Sequence, residues 1–261
     1  MCREPVNVLN DASYLAAQAQ RLAPVRSDLL RRAHIGWANR VLEIGCGTGE
    51  ITQELKRRSP GLLVAIDRDP QMVGRTVARV DGIEGLCSVG EHLPFASAAF
   101  DCVVFAFVLL WASDPGRLVS EAARVVRPGG HVVALAEPDY GTYWEQPRLI
   151  GDLLLQGFRA LRANPTIGAD LCELFEQAGL QCRCGRAQGS ARGIDSGESD
   201  DEVCMLLATL SAGTGPDTAT VAMEGVTAAR ERGERRALVP ICYATGMRPT
   251  AGPRRKSSAG T

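Results

Sequence analysis

Glu43 stands two residues ahead of Gly45-Cys46-Gly47-Thr48-Gly49, and is the one polar residue in the otherwise apolar run Val41–Ile44 that leads into the cluster. Glycines at the end of a strand leave backbone N–H groups bare and let a ligand lie against the main chain. Nucleotide-type ligands of several kinds are held in this way. A phosphate-binding loop of the G-x-x-x-x-G-K-[ST] kind needs a lysine, and none follows here. The dinucleotide fingerprint is G-x-G-x-x-G, whereas the spacing here is G-x-G-x-G. A second acid, Asp67, closes the next apolar run, Val64-Ala65-Ile66.

The elements that must carry these residues alternate. Residues 10–38 read as two helices broken at Pro24, with Tyr14, Leu15, Leu22, Val25, Leu29 and Leu30 on an apolar face. Strands are expected at Arg40–Ile44, Leu62–Ile66, Gly85–Val89, Phe100–Val108 and His131–Ala136, with helices between them. Asp69-Pro70 and Asp114-Pro115 each combine an N-cap with a proline at the first helical position. Arg127-Pro128-Gly129-Gly130 reads as a turn. Apolar runs separated by helices imply a parallel sheet covered on both faces. Beyond it, helices are expected at Ile150–Ala163, Gly168–Ala178, Val203–Leu210 and Ala219–Arg232, strands at Leu180–Ala187 and Ala237–Thr245, and a polar loop at Gly189–Glu202. The basic tail from Pro249 is expected to be disordered.

Bulk properties exclude several classes. A net charge of -1 gives no pull toward nucleic acid or anionic membrane. The longest apolar run, Cys102–Ala112, is too short to span a bilayer. The opening MCREPVNVLN has no apolar segment, so no signal peptide is expected. Nine cysteines are scattered without a C-x-x-C pair, and His34, His92 and His131 are far apart, so no metal site is expected. The cysteines read as reduced thiols of a cytoplasmic protein. Cys182 and Cys184 form the only close pair and would share one face of a strand, the one place where the spacing leaves a weak metal or redox role open. Of the 29 basic residues only Lys56 and Lys256 are lysines, a bias that resembles a GC-rich bacterial genome.

The acid-then-glycine stretch resembles motif I of the class I S-adenosylmethionine-dependent methyltransferases, in the small-molecule branch that includes ubiquinone and menaquinone biosynthesis. Further stretches match that family in order. Val64 to Pro70 looks like its second strand, Gly90-Glu91-His92-Leu93-Pro94-Phe95 like its LPF loop, Phe100 to Val104 like its motif II, and Glu121 to Gly130 like the approach to its fifth strand. The match is dense over residues 40–140 and thinner beyond, where Phe175–Leu180 and Ile241–Pro249 still resemble the last strands.

The resemblance implies an α/β, Rossmann-like, doubly wound seven-stranded sheet, mostly parallel, with an antiparallel last strand. The pattern of elements adds a helical N-terminal lid over 1–39 and a helical insertion before the last strand, around a cofactor core over 40–140 and substrate-side elements over 141–248. Residues 1–248 would then form one methyltransferase domain and 249–261 a tail. S-adenosyl-L-methionine is the implied cofactor. Its implied contacts are Glu43 on the methionine ammonium, where an acid suits a cation and suits a pyrophosphate badly, the loop Gly45, Cys46 and Gly47, Asp67 on the ribose, Arg68, Met72 on the adenine, Gly90, Glu91, Ala106 and Phe107. The family often has an acid ahead of the LPF loop for the adenine amino group. Here that position is Val89, which leaves the Gly90 N–H and Glu91.

Ligands of open parallel sheets sit outside the C-terminal strand ends. By position, Glu137, Asp139 and Tyr140 are candidate catalytic groups, and Tyr14, Arg21, Trp111 and Trp144 candidate substrate contacts. Methyl transfer is an in-line displacement in which orientation alone contributes about 7–11 kcal/mol, so a base is needed only for a protonated nucleophile. The expected partner is a small-molecule acceptor, with no nucleic acid and no membrane insertion, for a monomer or homodimer. Two rivals are weighed. A nicotinamide-dependent oxidoreductase needs a third glycine at G-x-x-G spacing and a Tyr with a nearby Lys, and the chain has neither. A non-catalytic cofactor-binding protein of the same fold would keep Glu43 and Asp67 and lack turnover.

Overall fold

The computed structural model describes residues 12–187 and 200–250. The helices are α1 (Ala12–Arg21), α2 (Ala23–Arg32), α3 (Glu50–Arg58), α4 (Pro70–Arg79), α5 (Pro115–Val125), α6 (Gly151–Ala160), α7 (Ile167–Gln177), α8 (Asp200–Thr214) and α9 (Pro216–Glu231). The strands are β1 (Arg40–Ile44), β2 (Leu62–Asp67), β3 (Glu84–Cys87), β4 (Phe100–Phe105), β5 (Val126–Pro138), β6 (Trp144–Gln146), β7 (Gln181–Arg186), β8 (Arg236–Leu238) and β9 (Ile241–Met247). Seven strands form one sheet in the order β3-β2-β1-β4-β5-β9-β7. Strands β1 to β5 run parallel, and β9 lies antiparallel between β5 and β7.

The pleat sorts the central strands between two cores. Leu42, Ile44, Val103, Phe105, Val132 and Ala134 face one side, against Leu118, Ala122, Leu171 and Phe175 of α5 and α7. Val41, Leu63, Cys102, Val104, Val133 and Leu135 face the other, against Leu29, Leu30 and Leu55 of α2 and α3. Residues apolar on both faces are what a sheet covered on both sides requires. A third cluster joins Tyr14 of α1 to Leu154 of α6, Met205 and Leu206 of α8, and Met223 and Val226 of α9. The N-terminal helix and the insertion therefore pack as one helical cap.

The Asp-Pro helix starts form as expected, with Asp69 accepting from the Gln71 N–H and Asp114 from the Arg117 N–H. Three expectations need correction. The turn at Arg127–Gly130 lies inside β5, as a bulge opposite Phe100–Cys102. The Arg248 guanidinium binds the carbonyls of Arg124 and Val126 at 2.7 Å each and holds the segment on the sheet. The last strand is two strands. Pro240 has no N–H to extend a ladder, and β8 leaves the main sheet to pair with β6. The fourth strand stops at Phe105 because Phe107 takes a left-handed conformation, φ 55°. Residues 1–11, the greater part of the expected loop at Gly189–Glu202, and the tail from 251 lie outside the described residues. No helix of the described residues is long and apolar enough to cross a membrane.

Helices α6 and α8 cross closely through a glycine. A Cβ on Gly157 would stand 2.0 Å from the Thr209 carbonyl oxygen, a backbone atom that cannot turn aside. Gly157→Ala gains helix propensity of about 1 kcal/mol, but overpacking costs about 1–3 kcal/mol or more. Here the obstacle is backbone and the penalty wins. Denaturant unfolding is expected to show a net loss of about 2 kcal/mol, with an unchanged midpoint refuting the tight crossing.

Candidate active site

A cavity of about 1360 Å³ opens over the C-terminal ends of the parallel strands, with the helical cap as its roof. The order of the strands reverses between β1 and β4, and open α/β sheets bind their ligands at such a point. The glycine loop leaves β1 there. Gly45 and Gly47 have φ of 75° and 52°, which side chains resist. A Cβ on Gly45 would strike Val108 Cγ2 at 2.4 Å, while one on Gly47 would enter the cavity with only Leu15 near it, at 3.9 Å. The loop is thus pinned on one side and bare on the other.

Asp67 ends β2 beside this loop. Its Oδ2 accepts from the Gly47 N–H and its Oδ1 from the Asp69 N–H, both at 3.0 Å. Asp67, Gly45, Cys46, Gly47, Arg68, Met72, Gly90, Glu91, Ala106 and Phe107 all line the cavity. Glu43 lies behind the wall, 2% exposed, and its Oε2 has no hydrogen-bond partner. Burial, with the Asp67 charge beside it, pushes the Glu43 carboxyl up to about 8. A buried acid with one unpartnered oxygen next to a glycine cradle fits a ligand that brings a cation. Burial and the Glu43 charge push the Cys46 thiol up to about 12, so this sulfur is not a nucleophile.

Beyond the glycine loop, the LPF segment is held from behind. Glu121 accepts from the Leu93 N–H at 2.9 Å, and Arg124 donates to the carbonyls of Phe95 and Leu93 at 2.8 and 3.0 Å. Glu121 also pairs with Arg124 at i, i+3, yet it is buried, since its carboxylate faces a loop 28 residues away. Glu91 accepts from the Ser113 N–H and hydroxyl at 2.9 and 3.0 Å, tying the loop after β3 to the one after β4. A Cβ on Gly90 would lie 2.7 Å from Leu118 Cδ1, so the close packing of that loop requires glycine.

The candidates on the substrate side separate. Tyr14, Arg21, Trp111 and Tyr140 line the cavity. The Tyr140 ring lies 4.5 Å from that of Phe158. Trp144 does not line it and is 51% exposed, because β6 turns it outward. Glu137 and Asp139 are buried and also absent from the lining. Glu137 accepts from the N–H groups of Val108, Leu109 and Leu110 at 2.9, 3.1 and 3.3 Å, which shapes the segment after β4. Asp139 accepts from the Gly141 N–H and from the Thr142 hydroxyl.

Residues that the sequence did not single out complete the chamber. Leu154 and Phe158 of α6, and Leu161 just past its end, enter at i, i+4 and i+7, a helical spacing legible in hindsight. Arg235 also lines it, 6% exposed, and pairs with Glu145 and the Tyr143 hydroxyl. Glu145 accepts in turn from the N–H groups of Leu149, Ile150 and Gly151, at the start of α6. Ninety residues separate the pair, and no local pattern announces it.

The cysteines behave differently from expectation. Cys172 on α7 and Cys184 on β7 form a disulfide, Cα–Cα 5.8 Å, so not all thiols are free. The pair is 12 residues apart and carries no short-spacing signature.

An open sheet with a glycine cradle and two acids at its switch point defines a nucleotide-cofactor protein of the Rossmann-like class. Residues 42–134 match the family model described as a methyltransferase domain. The ubiquinone/menaquinone biosynthesis C-methyltransferase UbiE of Hahella chejuensis is 33% identical over 168 residues, covering 55% of this chain and 67% of that protein. The malonyl-[acyl-carrier protein] O-methyltransferase of the same organism is 34% identical over 112 residues, covering 42% of this chain and 40% of that protein. The chain spans about two fifths of the length of the first such curated relatives. Among solved structures, the N-methyltransferase NodS of Bradyrhizobium japonicum, in complex with S-adenosyl-L-homocysteine, has the same fold, with TM-score 0.52 at 19% identity over 91% of this chain and 87% of that one. The chain belongs to the class I S-adenosylmethionine-dependent methyltransferases, and its cofactor is S-adenosylmethionine.

Proposed function

We propose that the chain transfers a methyl group from S-adenosylmethionine to a small-molecule acceptor, an O-, N- or C-nucleophile, by in-line displacement. The observation that carries this reading is Glu43, buried behind the glycine cradle with its Oε2 unpartnered, and with Asp67 beside it at the end of β2. The cofactor supplies an activated methyl group, and the residues of the chain bind and orient. Glu43 would face the ammonium and Asp67 the ribose hydroxyls. The backbone of Gly45, Cys46 and Gly47 would lie along the methionine part. Met72, Gly90 and Glu91 would frame the adenine, with Arg68, Ala106 and Phe107 at the cofactor's remaining edges.

The acceptor would occupy the chamber under the cap, between Tyr14, Arg21, Trp111, Tyr140 and Phe158. Its wall is largely apolar, so the acceptor needs substantial apolar surface. Glu137 and Asp139 spend their carboxylates on backbone and hydroxyl donors, which makes them positioning residues in this reading. Tyr140 remains the candidate for contact with the nucleophile. We read 1–248 as one unit in a bacterial cytoplasm, as monomer or homodimer without nucleic acid. The bacterial relatives and the net charge of -1 support this.

Family membership sets the oxidoreductase reading aside. Calorimetry should give heat with S-adenosylmethionine and none with NAD. Transfer of labelled methyl to a panel of apolar O-, N- and C-nucleophiles then tests turnover. Cofactor binding without a labelled product would favour the non-catalytic reading.

A further inference from the structure

Strand β7 is the edge of the sheet, and Cys182 and Cys184 share the face of it that α7 covers. The Cys182 Sγ lies 3.9 Å from the Cys184 Sγ, and the sulfurs of Cys172, Cys182 and Cys184 all lie within 4.8 Å of one another. A disulfide requires two sulfurs, and here a third stands against it. A carboxylate oxygen of Glu176, one turn along α7 from Cys172, is 3.9 Å from the Cys182 Sγ. Three sulfurs and one carboxylate thus converge from two elements. None of them lines the cavity over the parallel strands.

We propose that in its reduced form this cluster is a binding site for one thiophilic divalent cation of the zinc type. Cys172, Cys182 and Cys184 would be its ligands and Glu176 the fourth donor. Tetrahedral zinc with Zn–S bonds of about 2.3 Å sets its sulfurs about 3.8 Å apart. The Cys182–Cys184 separation, 3.9 Å, is already close to that value. Thiolates select soft or borderline cations over calcium or magnesium. The chemistry has two steps. A dithiol or phosphine reductant gives two electrons to the Cys172–Cys184 bond and is itself oxidised, and the two sulfurs take up two protons. Metal binding then replaces the three thiol protons with three metal–sulfur bonds and releases the protons to solvent. The disulfide and the metal exclude each other, because both use Cys172 and Cys184. The metal would tie α7 to β7 as the disulfide does.

The test uses the full chain, reduced with a phosphine, freed of reductant and metal under anaerobic conditions, and titrated with zinc against a chromophoric chelator. One zinc per chain is expected. Cadmium should give thiolate charge-transfer absorption at the same stoichiometry. Zinc should also shield Cys172, Cys182 and Cys184 of the unaltered chain from alkylation while leaving Cys87 and Cys204 reactive, as mass spectrometry of the peptides would show. Cys182→Ser should weaken binding about 100-fold or more, since even outer-sphere partners are worth about 10–100-fold, and Cys204→Ser should leave it unchanged. The oxidised chain should bind none. Zinc absent from the reduced chain, or alkylation of the three cysteines unaffected by zinc, would overturn the site.

Discussion

Asp67→Ala is expected to weaken S-adenosyl-L-homocysteine binding by about 100-fold or more, because hydrogen bonds to a charged acceptor contribute about 1.5–3 kcal/mol each. In the proposed site two ribose hydroxyls lose their acceptor together. The carboxylate has a second task. Its two oxygens already accept from the N–H groups of Gly47 and Asp69, and each oxygen keeps further acceptor capacity. Asp67→Ala therefore also releases the glycine cradle. Asp67→Asn separates the two effects, since it keeps the shape and one acceptor oxygen but lacks the charge. It is expected to fall between the native chain and the alanine variant. Calorimetry reads the affinity, and thermal unfolding without ligand reads the cradle. Native affinity in Asp67→Ala would remove the ribose from Asp67.

Glu43 is expected to make cofactor binding release a proton. In the free chain its carboxyl is pushed up to about 8, chiefly by burial, with the Asp67 charge adding to the rise and the Thr52 hydroxyl and the Arg26 guanidinium opposing it. At neutral pH it is mostly protonated. An ammonium brought beside it favours the carboxylate, so binding below about pH 8 must expel one proton, and affinity should fall about tenfold for each unit further down. Calorimetry in buffers of different ionisation enthalpy should count close to one proton at pH 7. Glu43→Gln should abolish that count and bind more weakly.

The same group shapes the stability of the free chain. Glu43 and Glu137 are raised from an ordinary 4.5 to about 8 and about 7, both chiefly by burial. The folded chain keeps protons that the unfolded chain releases. Their stabilising contribution is complete below 4.5 and is lost as pH rises through about 7 and about 8. Glu43→Gln should flatten the upper part of that fall. A proton count of zero in the native chain would show that Glu43 does not meet the ammonium.

Much of the cofactor side was legible because its signals are local. Glycines at a strand end, an acid two residues before them, and Asp-Pro at two helix starts each act within a few residues. Backbone geometry ties such residues to neighbours that are also neighbours in sequence. The chamber side was less legible. Glu137 and Asp139 look like catalytic acids by position, yet Glu137 is held by backbone N–H groups of a loop 27 to 29 residues away, and Asp139 by the Thr142 hydroxyl and the Gly141 N–H. Trp144 follows β5 in sequence but belongs to a strand whose partner, β8, starts at residue 236.

From its sequence alone this protein has a parallel, doubly wound sheet, a cradle at the end of β1 and an acid at the end of β2, because pleat alternation and turn chemistry are short-range. Only the tertiary structure decided that Glu43 is buried with its Oε2 unpartnered, that Glu121 and Arg124 hold the LPF loop, that Arg235 meets Glu145, and that Cys172 reaches Cys184 with Cys182 beside them. Each of these depends on which distant segments the sheet order brings together, and no local pattern of residues encodes that order.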